Sequence, residues 1–242
     1  MNGDDGRHAS DRHGRLDAVL ATIMGQPAGP LPDMVCSAAA QRLRAPGVGV
    51  TVAVSDQLLQ SVHATGLGRT GDGLQTGLGE GPAYAAHNTS RPVLAADLAA
   101  DDRWPAFARG AGEVGILASF SLPIRSGAVR LGTLNLYRRA TGPLEGEQYV
   151  DALVFARLTL VALTMPPELD GQPASWIGHA WPGPDGATPQ VHQATGMVSA
   201  QLGIDMAAAL ATLRAHAYAT DRHLSDVAVD VVARKLRFDD AP

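Results

Sequence analysis

The sequence predicts an α+β domain, an antiparallel sheet with helices gathered on one side, followed by a small all-α bundle of three helices. Alternating apolar residues typical of strands, with helical patterns placed between them, indicate the α+β domain. Three short amphipathic patterns near the C-terminus indicate the bundle. A stretch rich in proline and glycine separates the two parts.

Domain boundaries follow from these changes in composition. The polar start of the chain carries no apolar periodicity, and six prolines and four glycines within 166–190 are typical of a linker. The predicted organisation is a disordered tail at 1–13, the α+β domain at 14–165, a linker at 166–187 and the helical domain at 188–242.

Composition and charge exclude several classes of protein. Hydrophobic residues make up 45% of the 242 residues, which argues against global disorder, and the net charge of −5 gives no general indication of a nucleic-acid or membrane partner. The polar start lacks the apolar segment of a signal peptide, and the most apolar run, at 152–165, is too short to span a bilayer. The single cysteine, Cys36, excludes an internal disulfide, so we expect a cytoplasmic protein.

The α+β domain begins with two helices and two strands. Helical patterns occur at 16–24 and 33–43. Valine then alternates strictly from Val48 to Val54, which predicts a strand with one face on a core. The segment 57–65 predicts the neighbouring strand.

A glycine-rich stretch at 65–82 follows these strands. It has no G-K-[ST] sequence, and its glycines do not join a buried strand to a helix in the dinucleotide-binding pattern, so we predict a plain mobile loop. Beyond it, the patterns predict a short helix after Pro82, a strand at 91–97 and a helix at 103–115.

A β-hairpin is the clearest feature of the second half of this domain. Apolar residues alternate from Ile116 to Ile124, and a second alternating segment starts at Val129. The second segment changes phase at Gly132, which predicts a β-bulge there. An apolar helix at 145–165 closes the domain and is stopped by two prolines.

Three helices are predicted after the linker. The first spans 189–202 and ends at Gly203, the second is capped by Asp205, and the third carries apolar residues from Leu224 to Val232. A bundle of three short helices has a thin core, so we expect support from a partner or a dimer.

The C-terminal segment resembles the ANTAR domain, a small three-helix RNA-binding module of bacterial antiterminators. The resemblance rests on Gln193-Ala194-x-Gly196 with the Gly203 stop, Leu213-Arg214 with Ala217, and the segment from Arg222 to Ala228. It implies a partner of structured RNA, in the form of stem-loops, and a homodimer, since most such modules act as dimers.

The upstream region resembles the GAF domains that occur with ANTAR domains in actinobacteria. Two segments carry this resemblance, "LQTGLGEGPAYAAHNTSRPVLAADLAADDRWPAFA" and "SFSLPIRSGAVRLGTLNLY". The resemblance implies an α+β sandwich of the GAF type that senses a signal. It also implies a regulator in which this sensor controls an RNA-binding output that favours transcription antitermination.

The resemblance places the expected RNA contacts on one stripe of the helical domain. These residues are Gln193, Thr195, Arg214, Tyr218, Arg222 and His223. Related domains usually carry a basic residue at the position of Thr195, and a threonine offers a hydrogen bond but no charge. Neutralisation of phosphates drives much of nucleic-acid affinity, so this departure bears directly on RNA binding. Tyr218 could stack on an unpaired base of a loop.

The alternative hypothesis is a degenerate module that acts only in protein association. Residues 188–242 carry five lysines and arginines against six aspartates, so the domain is about neutral, which is poor for RNA binding. On charge alone, Arg214 and Arg222 are ordinary solvated charges and Tyr218 covers the edge of the bundle. A dimer that buries these three residues would indicate association only.

The sequence gives no indication of an enzyme, a metal site or a cofactor. No nucleophile motif is present, and the histidines are scattered. Many related GAF domains carry a cysteine where this chain has Ala83, so thiol chemistry is excluded there. Cys36 lies on an apolar helical stripe, where we expect a buried hydrophobe, with a redox switch as the alternative. A small apolar pocket with a ligand of unknown identity, or no ligand, stays open for the sensor.

Gly196 raises a separate question, because a glycine inside a helix lowers its stability. Either RNA or a neighbouring helix approaches the backbone there, or the first helix packs closely inside its own bundle. The linker raises another question, because a chain rich in proline and glycine is a poor rigid lever. We therefore expect signalling by rearrangement or release of docked domains rather than by torque through one continuous helix.

Overall fold

The computed structural model describes residues 4–55, 58–165 and 188–238, and the predicted linker at 166–187 lies outside them. The described strands are β1 (Gly47–Ser55), β2 (Leu58–Gly66), β3 (Val93–Ala95), β4 (Ala118–Ser126) and β5 (Val129–Arg138). The described helices are α1 (Asp4–Met24), α2 (Leu31–Arg42), α3 (Gly68–Leu78), α4 (Pro82–Thr89), α5 (Pro105–Glu113), α6 (Gly146–Thr164), α7 (Thr188–Leu202), α8 (Met206–Ala219) and α9 (Leu224–Val232).

The five strands form one antiparallel sheet in the order β2-β1-β5-β4-β3. The two hairpins, β1–β2 and β4–β5, are joined by the pairing of β1 with β5, in which Val48 lies opposite Leu136. The predicted fold class, an antiparallel α+β sandwich followed by a three-helix bundle, is therefore confirmed.

The helices lie on both faces of the sheet, so the prediction that they gather on one side is wrong. Even-numbered residues of β1, such as Val48 and Val50, pack with α2 and α6 in an apolar core. Odd-numbered residues of β1 face α3, because a Cβ placed on Gly49 would overlap the carboxylate of Asp72. The sequence indicated one apolar face of the sheet. The burial of the second face was not predicted, because the strand residues on it are mostly polar.

The polar face of the sheet is buried as completely as the apolar face. Thr51 and Thr133 pair across the strands at 2.7 Å between their hydroxyl oxygens. Ser119, Ser121 and Asn135 are also fully buried on this side. Helices α3 and α4 cover these residues, so this side of the sheet carries a buried polar layer, and a second apolar cluster that includes Ala86, Phe107 and Tyr137 lies beside it.

The glycine-rich stretch is helix α3, and the prediction of a mobile loop at 65–82 is wrong. Its glycines allow the helix backbone to lie close to the sheet. A Cβ on Gly68 would overlap the carbonyl oxygen of Val48, and one on Gly71 would overlap the ring of Tyr137. Helix propensity alone disfavours four glycines in eleven residues, but packing against the sheet overrides it here.

The β4–β5 hairpin contains the predicted irregularity. Ile124 pairs with Gly132 and Arg125 pairs with Arg130, so Leu131 is the extra residue of a bulge next to the predicted position. Gly132 is required for a second reason, because a Cβ there would overlap the carbonyl oxygen of Thr51 on β1.

Helix α1 begins at Asp4, so it extends into the segment 1–13 that we expected to be a disordered tail. At its other end, α1 packs on α2 and α6. Arg15 donates a hydrogen bond to Asp151 of α6 at 2.9 Å, and Arg42 of α2 donates to the same carboxylate at 2.8 Å. Asp151 therefore joins the three helices that cover the apolar face.

The last three helices form a bundle with its own core of small and branched residues. The buried set is Val191, Ala194, Val198, Ala209, Leu210, Leu213, Ala217, Leu224, Val227, Ala228 and Val231. The predicted helix boundaries are confirmed: Gly203 has a φ of +65° after α7, and Asp205 accepts a hydrogen bond from the Ala208 amide at 2.8 Å.

Candidate nucleic-acid interface

The structure separates the six residues that were expected to contact RNA. Gln193, Tyr218, Arg222 and His223 are exposed on the helical domain. Thr195 lies in the bundle core, and Arg214 lies against the α+β domain. The expected stripe is therefore continuous in sequence pattern but not on the surface of this conformation.

Thr195 is buried, with only 3% of its surface exposed. Its hydroxyl donates a hydrogen bond to the carbonyl oxygen of Val191, one turn earlier in α7, at 2.6 Å. This is the usual arrangement of a threonine within a helix. In this conformation Thr195 has no atom to offer a phosphate. The spacing of four residues from Val191, which places Thr195 inward, was visible in the sequence.

Arg222 is held by an acidic neighbour. Its guanidinium donates to the carboxylate of Asp230 in α9 at 2.6 Å, and about 39% of its side chain is exposed. His223 follows at the start of α9, where its backbone carbonyl accepts the amides of Asp226 and Val227. An exposed ion pair of this kind contributes little to stability and opens readily when a phosphate competes for the arginine.

Tyr218 has 60% of its surface exposed, and its ring forms one wall of a groove between the two domains. The groove has a volume of about 360 Å³ and is lined by Leu78, Glu80 and Ala106 on one side and by Ala211, Arg214, Ala215 and Tyr218 on the other. The phenol can therefore reach a base or a small molecule without any change in the bundle.

A basic segment after α9 was missed as a candidate. Arg234, Lys235 and Arg237 are all exposed at the end of the bundle. Three basic residues within four positions are a recognisable charge pattern. They are three of the five basic residues of 188–242, so positive charge is concentrated at this end of a domain whose total charge is near zero.

Gly196 is open on its outer side. Apart from the adjoining residues and backbone of α7 itself, no heavy atom of the described residues lies within 4 Å of the position that a Cβ would take. Close packing of α7 inside its own bundle, one of the two explanations left open by the sequence, does not account for this glycine in the described chain. The backbone of α7 is accessible at this point to RNA or to a second chain.

The polar interior of the α+β domain centres on the fully buried carboxyl of Asp72. It accepts hydrogen bonds from the Tyr137 hydroxyl at 2.5 Å, the Asn135 amide at 2.9 Å and the Ser61 hydroxyl at 3.0 Å. Burial raises the pKa of Asp72 to about 7, and these hydrogen bonds oppose that increase. Burial also raises the pKa of Tyr137 well above its ordinary value, so this phenol stays protonated.

Cys36 is buried with 1% of its surface exposed, as a small hydrophobe of the core. Burial raises the pKa of its thiol, which disfavours the reactive thiolate. Among the described residues, no group of three or more histidine, cysteine, aspartate or glutamate side chains is placed to hold a metal ion. No single described helix is long and apolar enough to span a membrane, although the bent pair Gln190–Leu202 and Met206–Ala219 meets the length and composition criteria.

Comparison with known proteins gives one family match. A family model for the ANTAR domain matches residues 188–232, which are helices α7 to α9. No curated protein matches the chain.

Several solved structures are similar to part of this chain. The GAF domain of a phosphoenolpyruvate-protein phosphotransferase from Coxiella burnetii is 16% identical, with 62% of this chain and 90% of that chain covered and a TM-score of 0.49. The corresponding GAF domain from Acinetobacter is 10% identical, with coverages of 62% and 90% and a TM-score of 0.48. Free methionine-R-sulfoxide reductase from Neisseria meningitidis is 11% identical, with coverages of 61% and 84% and a TM-score of 0.46.

The two halves of the chain can now be assigned. The upstream part is an α+β domain with one antiparallel sheet in the order β2-β1-β5-β4-β3 and helices on both faces. Residues 188–232 are an ANTAR domain, and the chain joins it to an upstream α+β domain.

Proposed function

We propose that this protein is a signal-responsive RNA-binding regulator of the actinobacterial GAF–ANTAR type. Its ANTAR domain binds stem-loop RNA and promotes transcription antitermination, and its GAF domain controls that binding. The observation that carries the proposal is the ANTAR match over a three-helix bundle that exposes Gln193, Tyr218, Arg222 and His223. The open backbone at Gly196 adds a place where RNA can approach α7 closely.

The RNA face works through local charge and stacking rather than through the total charge of the domain. Tyr218 supplies an exposed ring for an unpaired base, and Arg222 exchanges its exposed carboxylate partner for a phosphate. The basic segment Arg234, Lys235 and Arg237 extends the positive surface past the end of α9. Each phosphate that is neutralised makes binding more sensitive to salt.

We further propose that the protein is a regulator rather than an enzyme and acts in the cytoplasm without a membrane partner. The regulatory character of an ANTAR domain supports this, together with a single cysteine that is buried. A small ligand of unknown identity is proposed as the signal for the GAF domain. The polar interior around Asp72 is the part of that domain whose chemistry could respond to one.

A homodimer is also proposed. Exposed apolar residues follow one side of α1 and one side of α6, at Leu16, Leu20, Met24, Val161 and Met165. Contact with a second copy of the chain would remove these side chains from water. Sedimentation equilibrium should then give twice the 25.1 kDa mass of the chain, and introduction of Val161→Glu should return it to the monomer mass.

The test of RNA binding uses the full chain and fluorescently labelled tandem stem-loops at 50 and 200 mM KCl. We expect affinity to fall about tenfold or more between these salt concentrations. The double substitution Arg214→Ala with Arg222→Ala should weaken binding by roughly 10- to 100-fold and reduce the salt dependence. A matched control, Arg109→Ala with Arg125→Ala, removes two exposed arginines from the GAF domain.

The result that contradicts this proposal is equally clear. If tandem stem-loops do not bind, or if the two double variants weaken binding equally, the proposed RNA face is wrong. Equal weakening would mean that only total charge matters, without a specific role for the ANTAR arginines.

The second candidate function is a degenerate ANTAR module that acts only in protein association. The burial of Thr195 and the pairing of Arg222 with Asp230 favour it, because both remove expected contacts to phosphate. A structure of the dimer distinguishes the two functions. Burial of Tyr218 and Arg222 between subunits would support association only, whereas a dimer that leaves both at its surface supports RNA binding.

A further inference from the structure

The contact between the two domains centres on Arg214 of α8. Its guanidinium donates a hydrogen bond to the hydroxyl of Tyr84 in α4 at 2.9 Å. The guanidinium carbon also lies 5.7 Å from the centre of the Tyr84 ring, within the range of a cation–π interaction. One of the residues expected to bind RNA is therefore occupied by the GAF domain.

The turn between α3 and α4 is shaped to receive this arginine. Gly79 ends α3 with a φ of +70°, a conformation that favours glycine. A Cβ at Gly79 would overlap the guanidinium of Arg214. The same residue thus allows the left-handed turn and leaves the space that the arginine fills, so the fit does not depend on one hydrogen bond alone.

Tyr84 is also fixed from within the GAF domain. Its hydroxyl accepts a second, longer hydrogen bond from the Leu59 amide of β2 at 3.3 Å, and only 7% of its surface is exposed. Burial raises its pKa, so the phenol stays neutral. In this contact Arg214 donates to a neutral phenol, and a phosphate would be a stronger acceptor than that hydroxyl.

The side chain of Gln75 connects this docking site to the polar interior. Its amide nitrogen donates to the Tyr137 hydroxyl at 2.7 Å, and Tyr137 in turn donates to Asp72. Its amide oxygen accepts the backbone N–H of Ala83 at 2.7 Å, directly before Tyr84. Both ends of one buried side chain are thus used, so a change at Asp72 alters the support of Tyr84.

We propose that the Arg214–Tyr84 contact is an autoinhibitory clasp, in which the GAF domain holds Arg214 away from RNA and Gln75 positions Tyr84 for that contact. The inference rests on the proposed RNA-binding function and states how the GAF domain restrains it. RNA and the GAF domain compete for the same guanidinium. A signal that rearranges the Asp72–Tyr137–Gln75 network releases the clasp without passing through the linker.

The first test measures the distance between the domains and does not involve RNA. Spin labels on cysteines introduced at Glu113 and Ala219, both exposed, report this distance in the full chain, because Cys36 is buried. Tyr84→Phe removes only the accepting hydroxyl and should broaden a narrow distance distribution. Tyr149→Phe removes a phenol hydroxyl elsewhere in the GAF domain and should leave it narrow.

The same distance measurement is made on substitutions of the other residues of the clasp. Arg214→Ala should broaden the distribution as Tyr84→Phe does, whereas Arg222→Ala, whose ion pair lies within the ANTAR domain, should not. Gln75→Met keeps the length of the side chain but removes both hydrogen bonds. Gln75→Met should also broaden the distance distribution, although Gln75 does not contact Arg214. If Gln75 only supported the structure of α3, this substitution would leave the distance between the domains unchanged.

The second test measures RNA affinity with the labelled tandem stem-loops. Tyr84→Phe should strengthen binding about fivefold to tenfold relative to Tyr149→Phe, because Arg214 becomes available. A narrow distribution that Tyr84→Phe and Arg214→Ala leave unchanged overturns the clasp, whatever the RNA result. If Tyr84→Phe broadens the distance distribution but RNA binding is equal or weaker, the autoinhibition is overturned. If no variant binds RNA, the proposed function is overturned, and the distance measurement still decides whether the clasp exists.

Discussion

Helices α3 and α7 both contain glycines in their interiors, and the two helices use them differently. In α3, Gly68 and Gly71 lie against the backbone of β1 and the ring of Tyr137, where no Cβ fits. In α7, the position of a Cβ on Gly196 is open. A glycine inside a helix therefore marks close packing only where the opposing atoms exist. Where they do not, as at Gly73 and Gly196, packing within the described chain does not require the glycine.

The largest expected change in stability tests the close packing of the α3 glycines. Gly71→Ala should destabilise the α+β domain by about 3 kcal/mol or more, because the added methyl group meets the fully buried Tyr137 ring, which holds Asp72 and cannot move aside. Urea unfolding followed by hydrogen exchange of α3 measures the change.

The matched control lies two residues along the same helix. Gly73 has open space at its Cβ position, so Gly73→Ala should stabilise the domain by about 0.5–1 kcal/mol through helix propensity and a smaller entropy of the unfolded chain. Equal effects of the two substitutions would mean that α3 does not pack closely on the sheet.

The next prediction concerns the carboxyl beside Gly71. The pKa of Asp72 is 3.8 ordinarily and about 7 in the folded domain, so between these values the folded state binds a proton that the unfolded state has lost. Stability should therefore be greatest below pH 4 with respect to this group, fall as the pH rises to 7, and then level off. The total change is on the order of 4 kcal/mol.

Asp72→Asn isolates this contribution. Asparagine can keep one oxygen for Tyr137 and Asn135 and turn its amide nitrogen toward the Ser61 hydroxyl. The variant should match the wild type at pH 4 and exceed it in stability at pH 8. If the difference between the two proteins does not change across this range, Asp72 is not protonated in the folded domain.

The sequence predicted the elements that apolar periodicity defines and missed those that polar packing defines. The β4–β5 hairpin, the bulge beside Gly132 and the cap at Asp205 all have local signals, and the structure has all three. Helix α3 has none, because Gly68 and Gly71 are explained only by atoms of β1 and β5 that are remote in sequence. The polar face of the sheet was missed for the same reason.

The candidate site shows a similar division. That the last three helices form an ANTAR domain was predictable, since an ordered set of residues carries the resemblance. The surroundings of Arg214 were not, because its partner Tyr84 is 130 residues away and belongs to the other domain. Only the inward position of Thr195 could have been read from helical spacing, four residues after the core residue Val191.

A smaller change in stability is expected at Gly196 in α7, where the Cβ position is open. Gly196→Ala should stabilise α7 by about 0.5–1 kcal/mol, because alanine favours the helix and its methyl group meets no described atom. If RNA approaches the backbone there, the same substitution should weaken stem-loop binding. Hydrogen exchange of α7 measures the change in stability, and RNA titration measures the change in affinity. A loss of stability would instead indicate that another chain packs on Gly196 in the dimer.

The smallest expected effect belongs to the residue beside it. Thr195→Val replaces the hydroxyl that bonds to the Val191 carbonyl with a methyl group of similar size in the bundle core. Because that carbonyl can keep its backbone partner in the helix, stability should change by less than about 1 kcal/mol, and RNA affinity should not change at all. Parallel thermal unfolding and RNA titration of wild type and variant would detect a departure. A several-fold loss of RNA affinity at unchanged stability would show that Thr195 reaches the RNA, which requires α7 to rotate within the bundle on binding.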